Sequence, residues 1–276
     1  MRRTLKPHAL LFGALLLAGC ASARIVRTQP EQSSPGEERI SITPPLKKLP
    51  VGETLEYEIS WWGVPVGTAV FQTTLPPKGG GRMLFLRFEA ESNWYLRTFY
   101  PARARLASWI DPQTVSPRRF ESYLKRQWRL HESVITFNHS TRSSIHRLTG
   151  DKTVVVPFGP NTQDGLSLLY YVRTIPFELG KTIPLEIAAD GKNWPLKGEI
   201  VRASVIRIEA LGEVPAVEGR LELAYPVPFF HGSKARIWFS ADANRIPLLA
   251  KINSRIGPVT VVLTRYKPSE ASDQKK

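Results

Sequence analysis

Thr54-Leu55-Glu56-Tyr57-Glu58-Ile59-Ser60-Trp61-Trp62 reads as a strand with two unlike faces. Leu55, Tyr57, Ile59 and Trp61 fall on one side, Thr54, Glu56, Glu58 and Ser60 on the other, the period of two that marks a half-buried strand. Gly63-Val64-Pro65-Val66-Gly67 predicts the turn and Thr68 to Leu75 the returning strand of a hairpin. The same alternation recurs at Met83 to Ala90, Arg103 to Ile110, Arg118 to Lys125, Leu130 to Phe137, Ser143 to Leu148 and Thr153 to Val156. Beyond the midpoint it returns at Thr182 to Ala188, Trp194 to Arg202, Ser204 to Gly212, Ala216 to Tyr225, Lys234 to Ser240, Leu248 to Arg255 and Val259 to Tyr266. Turn chemistry such as Asp111-Pro112, Asp190-Gly191 and Gly257-Pro258 separates them.

One segment departs from the pattern. From Leu166 through Leu169 and Tyr170 the apolar spacing becomes three and four, which predicts a short helix over about residues 163–173, with Thr162 or Asp164 placed to cap it. The expected fold is therefore mainly β: a large antiparallel curved sheet, or a barrel or half-barrel, with one short helix plugging an opening. Residues 51–268 read as a single β-rich domain. Residues 20–50, rich in Pro, Ser, Gln and Glu, read as a disordered tether, and residues 269–276 as a polar tail.

The N-terminus carries its own signal. Arg2, Arg3 and Lys6 precede an apolar run from Ala9 to Leu17, the layout of a secretory signal peptide over residues 1–19. The run is about half of the ~20 residues that a membrane-spanning helix needs. A twin-arginine leader is a weaker alternative, because the residues flanking Arg2-Arg3 do not complete its pattern. Leu17-Ala18-Gly19-Cys20 resembles the lipobox of bacterial lipoproteins, in which the cysteine sulfur takes up a diacylglyceryl group. That resemblance implies lipidation, palmitate included, at Cys20, the single cysteine of the chain. Ala21 and Ser22, where retained lipoproteins carry Asp, imply the outer membrane, facing the periplasm.

The net charge of +14 falls to +11 when Arg2, Arg3 and Lys6 leave, so the expected partners are anionic. For an exported lipoprotein these are a membrane lipid, lipopolysaccharide or an acidic glycan, and not nucleic acid. Between Arg97 and Thr149 ten Lys and Arg face only Asp111, Glu121 and Glu132, and aromatic residues interleave them. Guanidinium groups grip phosphate in two-pronged fashion while rings cover sugar or acyl surface. Arg97, Arg103, Arg105, Arg118, Arg119, Arg126, Trp128 and Arg129 are the candidate ligand-binding residues. The bland reading of the same arginines is a solvated strand face. Trp94 to Pro101, which breaks the alternation, reads as a loop or short helix forming a lid.

Three stretches resemble a bacterial domain of unknown function, number 3108: Gly52 to Ser60 with Gly63 and Val66-Gly67, Asp164 to Arg173, and Ile237 to Asp242 leading into Arg245-Ile246-Pro247. The chain departs from that pattern at Gly165 and Ala243. The resemblance implies an exported β-rich envelope protein and carries over no catalytic residue. Physically, Asp242-Ala243-Asn244-Arg245 fits a tight turn ahead of a strand opened by Pro247, Asp164 fits a helix cap, and Trp238 fits a packed residue.

No catalytic constellation emerges. The lone thiol is committed to lipid. His131, His139, His146 and His231 sit in no nucleophile-elbow pattern and read as solvated surface histidines. No ligand spacing suggests a metal, Gly79-Gly80-Gly81 lacks the Lys-Ser or Lys-Thr of a phosphate loop, and no cofactor is implied. The expected function is that of a lipid-anchored, non-catalytic envelope protein that binds an amphipathic anionic ligand inside or at the rim of its curved sheet. The alternative is a scaffolding lipoprotein with a solid core, and hydrolysis of an envelope polymer through Asp164 and Asp242 trails both. The oligomeric state is not legible.

Overall fold

A computed structural model describes residues 40–46, 48–76, 83–223, 233–254 and 257–269. Cys20, the signal segment, most of the expected tether, Gly79 to Gly81, His231 and residues 270–276 lie outside the described residues. In chain order the strands are β1 (Thr54–Trp61), β2 (Val64–Thr74), β3 (Leu84–Ser92), β4 (Ala102–Ile110), β5 (Pro117–Arg126), β6 (Arg129–Asn138), β7 (Ser143–Leu148) and β8 (Lys152–Pro157). They continue as β9 (Thr162–Gln163), β10 (Thr182–Ala189), β11 (Lys192–Ile208), β12 (Gly212–Leu223), β13 (Ser233–Ser240), β14 (Pro247–Ser254) and β15 (Gly257–Lys267). Two helices, α1 (Trp94–Arg97) and α2 (Ser167–Thr174), interrupt them among the described residues.

All fifteen strands form one sheet, ordered β8-β7-β6-β5-β4-β3-β2-β1-β15-β14-β13-β12-β11-β10-β9. The central pair is β1 with β15, and a meander of hairpins runs outward from each. Every pair is antiparallel except β9 with β10, the one exception to the expected pattern. Strands β8 and β9 are the two edges of the sheet, yet only residues 158–161 join them. So short a link spans at most about 17 Å, which forces the sheet to curl until its edges approach.

A polar seam fills the remaining gap. Gly191, in the β10–β11 turn, lies against Leu148 and Val154 of the opposite edge. Its N–H donates to Nδ1 of His146 (3.2 Å), and Asn193 Nδ2 donates to the Pro157 carbonyl (2.9 Å). With Nδ1 accepting, the imidazole proton sits on Nε2, 2.9 Å from the Ser144 hydroxyl, which donates onward to the Val156 carbonyl. Burial holds the His146 pKa below its ordinary value and keeps the ring neutral for this role. The surface-histidine expectation therefore fails at His146, which is fully buried.

Several sequence boundaries also move. Trp194 to Arg202 and Ser204 to Ile208 lie on one continuous 17-residue strand, β11, with an irregularity between Ile200 and Arg202 that mimics a break in alternation, and Gly212 already opens β12. Gly63 to Gly67 is not all turn. Trp62 (φ 52°) and Gly63 (φ 78°) form a two-residue turn of left-handed residues, and Val64 already pairs with Trp61. The helix begins at Ser167, four residues later than expected, because Thr162 and Gln163 extend into β9.

α2 packs inside the curve. Its Leu166 and Tyr170 meet Leu84, Leu86, Ile110, Phe120 and Ile135, while Leu169 and Val172 meet the cluster of Phe177, Ile200, Val217 and Phe239. Beside it Tyr57, Phe71 and Phe88 stack in a chain, with ring centroids 5.6 and 4.5 Å apart. The last residues of the expected tether are packed as well. Leu49 is buried, Ile40 and Ile42 lie on the α2 cluster, Thr43 N–H bonds the Ala241 carbonyl (3.0 Å), and Leu46 N–H bonds the Arg173 carbonyl (3.3 Å). A Pro-rich stretch without periodicity gives no sign of this, because an irregular plug needs neither repeat. Ser269, at the head of the expected tail, likewise bonds the Val51 carbonyl (2.5 Å).

Candidate functional site

Antiparallel order sorts the connections onto two ends. The β1–β2, β3–β4, β5–β6, β7–β8 and β10–β11 turns share one end, and the β4–β5, β6–β7, β11–β12 and β13–β14 turns share the other. Residues 40–53 enter at the second end, through their bonds to Ala241 and Thr73. Each end holds one constellation.

At the entry end the constellation is buried and polar. Arg173 donates from Nη1 and Nη2 to both carboxylate oxygens of Glu53 (2.7 and 2.8 Å) and from Nε to the Asn244 carbonyl (3.0 Å). Neither side chain of the pair is reached by solvent. Burial alone would pull the guanidinium pKa down, but the bonds from Glu53 outweigh it and hold it above its usual value. Arg245 stands 3.9 Å over the Phe177 ring, donating to the carbonyls of Ile175 and Thr43, and burial lowers its pKa to about 10. The turn before it matches expectation in part. Asp242 accepts from Ser240 Oγ (2.5 Å) and from Arg245 N–H (3.2 Å), and the turn closes on a left-handed Arg245 (φ 47°). The Pro247 carbonyl, on the strand this turn opens, accepts from the Tyr57 hydroxyl (2.8 Å). At the other end of α2, Asp164 takes the N–H groups of Leu166 and Ser167 (2.8 Å each) and the Ser108 hydroxyl (2.6 Å), as a helix cap should. Trp238 is buried beside Leu249, flanked by Arg236 and Lys251, which makes it a packed residue. Every polar contact named here points inward at the protein itself.

The opposite end is exposed. Trp62, Trp94, Phe99 and Trp128 are 66, 78, 79 and 81 % exposed, and they occupy three neighbouring connections, β1–β2, β3–β4 and β5–β6. Those connections are fastened together: Asn93 Nδ2 bonds the Pro65 carbonyl (3.1 Å), Asn93 N–H bonds Val66 (2.9 Å), and Gln127 N–H bonds the Pro101 carbonyl (2.8 Å). Gly257 makes room for the Trp62 indole, since a Cβ there would fall 2.1 Å from Nε1. The expected lid, Trp94 to Pro101, is the short helix α1 and its following turn, part of this rim.

The eight candidate residues therefore divide. Arg97, Arg126, Trp128 and Arg129 lie at the aromatic end, with Arg103 at the start of β4 beside them. Arg103 approaches Glu91 (3.1 Å) and Arg105 approaches Glu89 (3.6 Å), cross-strand pairs of the kind a solvated face uses, and Arg97 of α1 also approaches Glu91 (3.7 Å). Arg118 and Arg119 lie at the entry end, with Asp111 (3.6 Å) and Glu121 (2.7 Å). One basic stretch of sequence thus serves two distant places. Trp61-Trp62 belongs to the aromatic end but carries no charge signal, and only its position at a tight turn marks it in the sequence.

Two cavities border the entry end. One of about 390 Å³ is bordered by Pro44, Leu46, Pro112 and Val115, and one of about 280 Å³ by Leu211, Val214, Ile246, Leu248 and Tyr266. Both border entry-end segments, near the lower limit for small-molecule pockets. Among the described residues no group of three or more His, Cys, Asp or Glu could hold a metal ion, and no helix is long and apolar enough to cross a membrane.

Comparison with known proteins places the chain in a family. The model of a protein of unknown function, DUF3108, matches residues 56–264. The chain belongs to the DUF3108 family. No curated protein sequence matches it. A β-barrel-like protein of the domain of unknown function DUF1849 from Brucella abortus is similar in structure, with a TM-score of 0.53 at 8 % identity, covering 80 % of this chain and 98 % of that one. A presumed exported protein with a YmcC-like fold from Bacteroides fragilis aligns at a TM-score of 0.33 and 8 % identity, over 82 % of this chain and 99 % of the other. A presumed lipoprotein from Parabacteroides distasonis aligns at 0.32 and 8 % identity, over 82 % and 98 %. The Brucella likeness shows the fold, a β-barrel-like curved sheet. Asp164, Arg173 and Arg245 lie within the matched residues and Glu53 just ahead of them, and together they hold α2 and the entry segment inside that sheet.

Proposed function

We propose that this DUF3108 protein is a non-catalytic, lipid-anchored protein of the bacterial outer membrane, facing the periplasm, that binds an amphipathic anionic molecule at the aromatic end of its sheet. The observation that carries the reading is the row of exposed Trp62, Trp94, Phe99 and Trp128 with Arg97, Arg126 and Arg129 beside it. Rings of this kind cover acyl or sugar surface while the guanidinium groups meet phosphate or carboxylate. α2 and the entry segment packed on the inner face favour the rim over a tunnel. This packing also suits a second reading, a scaffolding lipoprotein that presents the same end to a protein.

Binding of dispersed short-chain phosphatidylglycerol at low salt, followed by tryptophan emission, tests the proposal. Replacing Arg97, Arg126 and Arg129 by Gln should weaken binding roughly ten- to hundredfold, since each cation near an anionic lipid surface contributes about 1 kcal/mol. Replacing Arg118 and Arg119 by Gln should leave it within about twofold. Equal losses from both variants, or no saturable binding by the native protein, would remove the reading.

A further inference from the structure

We infer that the partner of the aromatic end is the surface of an anionic phospholipid bilayer, and that the end addresses a membrane other than the one holding the lipid anchor. This rests on the rim reading proposed above and narrows it.

The shape of the surface decides between a plane and a small ligand. Trp62, Trp94, Phe99 and Trp128 stand on turn tips and do not line a hollow. Strands lie about 4.8 Å apart, so connections two strands apart stand about 10 Å apart, and the row from the β1–β2 turn to the β5–β6 turn extends about 20 Å. One small amphipath cannot touch all of these tips, whereas a flat interface meets them together. The hydrogen bonds of Asn93 and Gln127 fix the three tips relative to one another before any partner arrives.

The chemistry matches a headgroup layer. Tryptophan rings settle at the boundary between acyl chains and headgroups, and exposed apolar clusters of this kind mark interaction sites. Arg97, Arg103, Lys125, Arg126 and Arg129 outnumber Glu58 and Glu91 around the row, which biases the surface toward anionic lipid.

Orientation follows from where the chain enters. Ile40 and Thr43 lie at the end opposite the aromatic row, by way of Ala241 and Arg245. The nine residues of β4 set the two ends about 30 Å apart. The 20 residues from Cys20 to Arg39 join the expected anchor to the entry end, so the aromatic row stands at the end of the sheet remote from the point where the anchor is attached.

The test uses the full chain with its anchor, reconstituted into phosphatidylcholine vesicles and mixed with labelled vesicles that contain phosphatidylglycerol. Energy transfer between the two populations reports clustering. The expected result is clustering that needs phosphatidylglycerol, falls as salt is raised, and drops at least tenfold in a Trp94→Ser, Phe99→Ser, Trp128→Ser variant whose circular dichroism is unchanged. No clustering, but variant-sensitive binding of dispersed short-chain phosphatidylglycerol, would overturn the bilayer inference and leave the rim reading standing. Neither binding would overturn both. Clustering between protein-bearing phosphatidylcholine vesicles alone would assign the surface to a second copy of the chain. Quenching of tryptophan by brominated lipid placed only in the host vesicles would overturn the opposed-membrane orientation.

Discussion

Arg173→Met is expected to lower the unfolding free energy by about 3–5 kcal/mol, the cost of leaving one charge of a buried pair without its partner. Glu53 cannot recover that loss from water, because both side chains are sealed from solvent and Arg173 supplies both of its guanidinium bonds. Asn244 would lose the Nε donor as well, freeing the β13–β14 turn from α2. At roughly 2–4 °C per kcal/mol for a protein of this size, the thermal midpoint should fall by about 10 °C. The double variant Glu53→Leu, Arg173→Met should recover most of it, since an apolar pair of similar volume avoids the stranded charge. Urea denaturation of the three proteins measures this. A loss under about 1 kcal/mol in Arg173→Met would show that the pair does not hold the entry end together.

The second large effect is expected at Asp164. Asp164→Ala removes a helix cap, about 1–2 kcal/mol, and leaves the Ser108 hydroxyl buried without its acceptor, about 1–3 kcal/mol more. Asp164→Asn keeps an acceptor at Oδ1 and should cost far less. The two proteins also separate by pH. Burial raises the Asp164 carboxyl above its ordinary value of 3.8, against the opposing pull of Ser108 and the two backbone N–H groups. The folded protein therefore holds this proton at a pH where the unfolded chain has released it. That contribution is fully present below the unfolded value and is lost as pH rises through the folded one. The stability of the native protein relative to Asp164→Asn should accordingly improve as pH is lowered from neutral toward the unfolded value, as read from urea midpoints. A constant difference would contradict the assignment.

Much of the fold is legible because one physical signal, alternation, encodes it. Leu55, Tyr57 and Phe71 announce an inner face, and antiparallel hairpins connect neighbours in sequence, so the sheet nearly assembles itself from local pattern. What escapes is whatever depends on contacts between distant residues. Nothing near Glu53 reveals that its partner lies 120 residues away, and nothing in the sequence around His146 reveals that the opposite edge of the sheet will cover it. Charge reads least faithfully of all. The basic stretch is continuous in sequence, but Arg118 and Arg119 open β5 while Arg126 closes it and Arg129 opens β6 beyond the turn, so the length of one strand sends them to opposite ends. The stretches that resemble DUF3108 reach both ends: Glu53, Asp164, Arg173 and Arg245 join the buried network, while Gly63 and Val66 belong to the β1–β2 hairpin beside Trp62.

Hydrogen–deuterium exchange of the native protein, with and without vesicles containing phosphatidylglycerol, tests most directly whether a rigid, filled sheet acts through its aromatic end. Slowed exchange confined to residues 61–66, 93–101 and 126–130, with α2 and the strands beneath it unchanged, is the result expected. Faster exchange in α2, or protection along the inner face of β10 to β13, would mean that the interior opens to take a ligand, and the account would be wrong.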